Sequence, residues 1–172
     1  AIPFSLASLL ALAYPIRALT SVTNRFAPSP LGYDGAAWIS QADPDLPETL
    51  LWIEKNTAPD HVFLTPTGEG YQPLSSSVAT FAGRPVLLGW AGHERQWRGD
   101  LYPQMGEDRE QMCEQFFNQA NIQAWLNSPL RSRVDYIFVP TQKHHPLTEN
   151  LLADPHVQLV FSNRSYSIYE TN

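Results

Sequence analysis

The sequence predicts an α/β domain of three layers, with a mostly parallel sheet flanked by helices and a β-hairpin at its C-terminal end. Short apolar runs at His61-Val62-Phe63-Leu64-Thr65, Pro85-Val86-Leu87-Leu88-Gly89 and Val134-Asp135-Tyr136-Ile137-Phe138-Val139 have the length and composition of buried strands. Segments with helical spacing alternate with them, which implies crossover connections and therefore parallel neighbours. Two further runs, Val157-Gln158-Leu159-Val160-Phe161 and Tyr166-Ser167-Ile168-Tyr169, are separated only by the turn Ser162-Asn163-Arg164-Ser165, and read as an antiparallel hairpin.

From the beginning, Ile2 to Leu19 is apolar, with its first charge at Arg17 and a break expected at Tyr14-Pro15. It is shorter than the roughly 20 apolar residues that a membrane span needs. Because no Met opens it and no basic region precedes it, residues 1–19 are expected to be the end of a truncated membrane span or a membrane-proximal helix. The alternative is a short helix packed on the domain through Leu6, Leu9, Leu10 and Ala13. Residues 20–46 are polar and marked by Pro28, Pro30 and Pro44, and read as a linker or loop. Residues 47–172 then form a single soluble domain. Asp45, Pro47 and Glu48 open a helix running to Lys55, with Asp45 as the capping acid. Ser75-Ser76-Ser77 begins a helix or turn. Helical spacing returns from Glu107 to Leu126 through Met112, Phe116, Phe117, Ile122 and Trp125, with a bend near Asn118 to Asn121, and a last short helix covers residues 146–153.

Composition narrows the function. With 172 residues, 43% of them hydrophobic, the chain fills one core. Its 16% charged content is below the roughly 25% of an average soluble domain, so part of the surface is expected to be covered. A net charge of −6 with no basic run argues against nucleic acid as a partner. Cys113 is the single cysteine, in a helical pattern where it serves as a small buried hydrophobe. A metal is not expected. His93-Glu94 begins like a zinc-protease helix, but the second His would fall at position 97, which is Trp, and the adjacent His144 and His145 would diverge. No nucleophile elbow, phosphate loop or dinucleotide fingerprint is present, no cofactor is implied, and no catalytic residue can be assigned.

The densest chemistry lies in Gly89-Trp90-Ala91-Gly92-His93-Glu94-Arg95-Gln96-Trp97-Arg98-Gly99. It follows an expected strand, in the position where loops of open α/β sheets bind ligands. Trp90 and Trp97 offer faces for a sugar ring or a cation, and His93, Glu94, Gln96 and Arg98 offer directed hydrogen bonds. Read as a loop, this stretch forms one wall of a polar pocket with Asp34, Tyr71 and Arg109 near it. The competing reading makes the Trp residues anchors and the charges salt bridges. Glu94 beside Arg95 and Arg98 has charge partners at hand, and is not expected to be a base.

The segment Gly83-Arg84-Pro85-Val86-Leu87-Leu88-Gly89-Trp90, continuing into His93-Glu94 and Trp97-Arg98-Gly99, resembles the Gly-Trp-x-x-His-Glu-x-x-Trp-Arg-Gly signature of the YYY-type membrane proteins of unknown function. Tyr33-Asp34-Gly35 with Trp38, Trp52, Glu69-Gly70-Tyr71 and Arg109 fit the same layout, from about Tyr14 to Tyr169. Pro140-Thr141-Gln142-Lys143-His144 departs from it, standing where such proteins tend to have a Gly-x-x-Glu-Arg-like turn. The resemblance implies a polytopic membrane protein distantly similar to lipid-phosphate-sugar-dependent glycosyltransferases of the C type, with this domain after the last span on the extracytoplasmic side. Its implied partners are the membrane domain of the same polypeptide and a glycan or polyprenyl-phosphate sugar. Without the membrane loop that carries the catalytic carboxylate in such transferases, the segment is not expected to be catalytic alone. The alternative is a structural module that docks on the membrane domain and binds no ligand; a self-sufficient hydrolase pairing Glu94 with Asp34 or Glu69 ranks last.

Overall fold

A computed structural model of the chain describes residues 2–23, 25–26, 34–68, 70, 72–141 and 145–171. They fall into two compact units, Ala1–Trp38 and Ile39–Asn172. The first is built on one helix, α1 (Ile2–Val22). The apolar run is therefore helical from Ile2, but it does not break at Tyr14-Pro15. Pro15 lies inside it, and the last turns carry the Thr20 hydroxyl bonded back to the Ile16 carbonyl at 2.9 Å. Leu12, Tyr14, Ile16 and Leu19 are all more than half exposed. The side chains of Leu6, Leu9 and Leu10 lie outside the described part. Among the described residues, no helix is long and apolar enough to cross a membrane.

The second unit contains a four-stranded sheet made of β1 (Phe63–Leu64), β2 (Tyr136–Pro140), β3 (Val157–Ser162) and β4 (Tyr166–Thr171), in the order β1-β2-β4-β3. β1 and β2 are parallel, with Phe63 opposite Tyr136, whereas β4 is antiparallel to both β2 and β3. The expected mostly parallel sheet is thus corrected to a mixed one. The crossover rule holds for direction: β3 does point the same way as β2. It leaves a gap one strand wide, however, and the tight turn at 163–165 sends β4 back into that gap. The run at 85–89 is corrected as well. It forms no strand, only a parallel bridge from Val86 to Phe63, with the Phe63 amide donating to the Pro85 carbonyl and the Leu87 amide to the Phe63 carbonyl, each at 2.8 Å. Pro85 has no amide hydrogen to extend the ladder.

β2 explains why both faces are covered. Side chains alternate across a strand, and Tyr136, Ile137, Phe138 and Val139 are all buried. On one face Ile137 and Val139 join Leu64, Met112, Phe116, Trp125, Leu147 and Leu151 in the main core. These come from α7 (Glu107–Cys113), a π-helical turn (Glu114–Asn118), α8 (Ile122–Leu126) and α9 (His145–Leu152). The expected bend falls here, with Ala120 at φ 50° between the π turn and α8. On the other face Phe138 stacks on Tyr166 at 5.1 Å and Phe63 on Tyr136 at 5.1 Å. Phe161, paired with Ile168 on this face, meets Trp52 of α3 (Leu46–Asn56) at 5.4 Å. α3 buries Leu46, Thr49, Leu50 and Ile53 at helical spacing, and Pro47 is in its first turn. Asp45 does not cap it. Its carboxylate instead accepts from the Ser165 hydroxyl at 2.5 Å and pairs with Arg164 at 3.0 Å, and the Ser165 bond, with Arg164, holds it below the usual carboxylate range. α2 (Ile39–Ala42) precedes α3, and α4 (Ser77–Ala82), after a 3-10 turn at Pro73–Ser76, lies between β1 and β2 in the chain.

Burial also fixes the behaviour at high pH. It pushes the Cys113 thiol up to about 12, and, with the carboxylates of Glu110 and Glu170, pushes the phenols of Tyr102 and Tyr136 up to about 12. Groups raised in the folded state favour it fully below their unfolded values and lose that contribution as pH rises towards the folded ones. The urea midpoint is therefore expected to fall between pH 9 and pH 12, and Cys113→Ala is expected to flatten that fall. An unchanged midpoint at pH 11 would contradict the burial argument.

Candidate functional site

The stretch expected as a loop is a helix, α5 (Ala91–Arg98), and this correction changes how its residues are arranged. Trp90, His93, Glu94, Trp97 and Arg98 stand at i, i+3, i+4, i+7 and i+8, so they share one face. With Gly89, Ser76 and Thr80 they line an open groove of about 480 Å³. Ala91, on the other side, packs against the main core. Arg95 is held there by an ion pair with Glu110, which also accepts at 2.7 Å from the hydroxyl of Tyr102, the first residue of α6 (Tyr102–Met105). The Arg95 guanidinium lies over the Tyr102 ring at 5.4 Å.

Within the groove the polar groups are largely committed. One Glu94 oxygen accepts the Gly89 amide at 3.0 Å, and the other pairs with Arg98 Nε at 2.9 Å. The acid thus reaches back over the first turn of α5, where the helix leaves amide hydrogens unpaired and the dipole favours a negative charge. Both Glu94 oxygens are thus engaged within the chain. Trp90 is anchored: its indole N–H donates to Ser75 Oγ at 2.7 Å, and its ring meets His93 edge-on at 5.0 Å. Trp97 differs, with 84% of its surface exposed. The groove therefore offers an open indole face flanked by His93, Arg98 and the hydroxyls of Ser76 and Thr80.

Of the other residues proposed from sequence, Gln96 is exposed away from the groove lining and Arg109 is half-buried, its guanidinium reaching the Leu87 carbonyl at 3.4 Å. Neither lines the groove. Asp34 belongs to the unit of residues 1–38, where its carboxylate accepts from the Ala36 amide at 2.9 Å. Tyr71, Glu69 and the departure at 142–144 lie outside the described residues. Ser76 and Thr80 were not proposed from the sequence; their serine-rich surroundings gave no chemical signal, and only the approach of α4 to Gly89 brings them in. Among the described residues no group of three or more His, Cys, Asp or Glu is placed to hold a metal ion.

No family model matches the chain, and no curated protein is similar to it. The resemblance to YYY-type membrane proteins accordingly does not establish membership of that family. A solved structure, the C-terminal globular domain of oligosaccharyltransferase from Archaeoglobus fulgidus, is similar over 74% of this chain and 97% of its own, with 14% sequence identity and a TM-score of 0.44. A likeness of that size assigns no role to any residue here.

Proposed function

We propose that this chain is an accessory domain, on the extracytoplasmic side, of a polytopic glycosyltransferase-like membrane protein, and that the α5 face receives a glycan or a polyprenyl-phosphate sugar. In this reading residues 1–19 lie next to or end a membrane span, 20–46 connect, and 47–172 form the three-layer domain. The wider assignment rests on the Gly89 to Gly99 resemblance. The observation that carries the binding role is Trp97, a large aromatic face left 84% exposed beside a groove of hydrogen-bonding groups. Arg98, already beside Glu94, can still point guanidinium hydrogens at an anionic oxygen. Titrating the domain with glycans and polyprenyl-phosphate sugars tests this. Trp97→Ala is expected to weaken binding about tenfold, the value of one stacked ring, and His93→Ala less, with folding retained in both. A parent domain that binds none of them rejects the ligand role.

A docking role is favoured by a different observation. Trp97, Leu101 and Met105, on three successive short helical segments, are exposed by 84%, 57% and 44% respectively, large apolar side chains of the kind that interfaces cover. That module would need no ligand, and its partner would be the membrane domain of the same polypeptide.

A further inference from the structure

A second cleft lies at the carboxyl ends of the parallel pair β1 and β2, where the chain leaves β1 as Thr65-Pro66-Thr67-Gly68 and β2 at Pro140. Carboxyl ends of parallel strands are where open α/β sheets bind ligands. The cleft encloses about 530 Å³, within the usual range for small-molecule sites. Its hydrogen-bonding lining includes Thr65, Gln72, Ser77 and Asn118, with Asp43 as its carboxylate; among the described lining residues there is no Lys, Arg or His. Among these described residues an anionic ligand would meet a carboxylate and no cation, which disfavours phosphate there. The stacked rings of Phe138 and Tyr166 supply an apolar surface. Hydroxyl and amide groups beside an aromatic face match a sugar ring, which has an apolar C–H face and a rim of hydroxyls.

Three details support a site prepared for such a ligand. Thr65 lines the cleft and is 5% exposed; its Oγ1 has no hydrogen-bond partner and is closed off from solvent, so a rotation about χ1 is what brings it to a ligand. An unpaired buried hydroxyl destabilises the fold, and valine would fill the same volume without it. Asp43 is oriented rather than loose: it accepts from the Tyr166 hydroxyl and from the Asp45 amide, and a carboxylate so bonded keeps lone pairs for a sugar hydroxyl. Asn118 ends the π-helical turn Glu114–Asn118, a wider turn that recurs at functional sites.

We infer that this cleft binds one uncharged hexopyranose unit, with Thr65 Oγ1 and Asp43 bonding its hydroxyls and the Phe138–Tyr166 rings under its apolar face. The cleft adjoins the α5 groove, with which it shares Ser76, but the residues that would bond the sugar are its own, so either can fail without the other.

Backbone-amide NMR of the 172-residue chain tests this with methyl glucoside, methyl mannoside, methyl galactoside and N-acetylglucosamine, against glucose 6-phosphate. At least one neutral sugar should give saturable shifts at Thr65, Gln72, Asn118 and Tyr166, and the phosphate should bind more weakly than the best of them. Thr65→Val should bind about tenfold more weakly, the value of one buried hydrogen bond, with a urea midpoint equal to or above the parent's. Gln72→Ala, at an exposed position, should weaken binding severalfold without affecting folding, while Trp97→Ala should leave these shifts unchanged. No shift at these residues with any neutral sugar at about 100 mM, far weaker than useful recognition, overturns the inference. So do shifts confined to α5, tighter binding of the phosphate, or full affinity in both Thr65→Val and Gln72→Ala.

Discussion

Replacing Arg84 by methionine is expected to cost about 3–4 kcal/mol of stability, a large part of what one domain has. Arg84 is buried, 9% exposed, directly after Gly83, which takes the left-handed φ of 64° and ends α4. Its guanidinium donates from Nε to Thr57 Oγ1 at 2.9 Å, from Nη1 to the Ala82 carbonyl at 3.0 Å, and from Nη2 to the carbonyls of Glu54 at 2.7 Å and Thr57 at 3.0 Å. The Glu54 and Ala82 carbonyls belong to the last turns of α3 and α4, where helix geometry leaves acceptors without amide partners and the dipoles favour a positive charge. One cation thus closes two helix ends. Methionine replaces the aliphatic stem and supplies no donor, so several acceptors lose their partner together. Arg84→Lys is expected to recover less than half, because an ammonium cannot reproduce the planar fork. Urea unfolding of the three proteins measures both effects, and a loss below about 1 kcal/mol, the net value of one ordinary hydrogen bond, would mean that solvent replaces the guanidinium.

The second large effect is expected at Asn163. Its amide nitrogen donates to the Asp45 carbonyl at 2.9 Å and to Thr49 Oγ1 at 3.0 Å, while its oxygen accepts from the amides of Ser165 at 3.1 Å and Tyr166 at 2.9 Å. One side chain therefore shapes the turn between β3 and β4 and fastens it to the start of α3. Asn163→Ala should cost about 2–3 kcal/mol, since it leaves groups on both sides unpaired. Asn163→Asp keeps the acceptor and loses the donor, and brings a second carboxylate near Asp45 and Glu48, so it should not restore the loss. Asn163-Arg164-Ser165 also has the form of a glycosylation acceptor. A glycan would replace one of the two hydrogens on that nitrogen and set a sugar against Asp45 and Thr49, so in a glycosylating host the protease-resistant, folded fraction should be unmodified by mass spectrometry. A folded fraction carrying the glycan would contradict this role for the side chain.

How far the sequence reveals this structure depends on whether the signal is local. β2 was legible because four consecutive apolar residues need cover on both faces, and α3 because its start signals and spacing coincide. α5 was not, since a search for apolar periodicity passes over a helix whose shared face is Trp, His, Glu and Arg. The spacing from Trp90 to Arg98 was present all along, carried by the wrong chemistry for a core helix. The apolar run at 85–89 misled in the opposite sense: it is buried, as Leu87 and Leu88 show, but proline and the edge position limit it to a bridge. Asp45 illustrates a further limit, because a capping acid and an acid held by Ser165, 120 residues later, look the same in one dimension. The cleft beyond β1 and β2 draws on six separate segments, none of which has a motif of its own.

The strand order has a temporal consequence. β4 is made after all its partners, yet it occupies an interior slot between β2 and β3, with Ile168 and Tyr169 fully buried. Until residue 171 is free, β2 lacks its neighbour on that side and β3, which pairs with β4 alone, has no place in the sheet. Co-translational folding can therefore assemble the helical core around Phe116 and Trp125 and the β1–β2 pair, but not the four-stranded sheet, whose remaining pairings wait for β4. A nascent chain halted before Tyr166 should expose β2 as an unprotected edge, and a chaperone or a neighbouring copy would meet it there first.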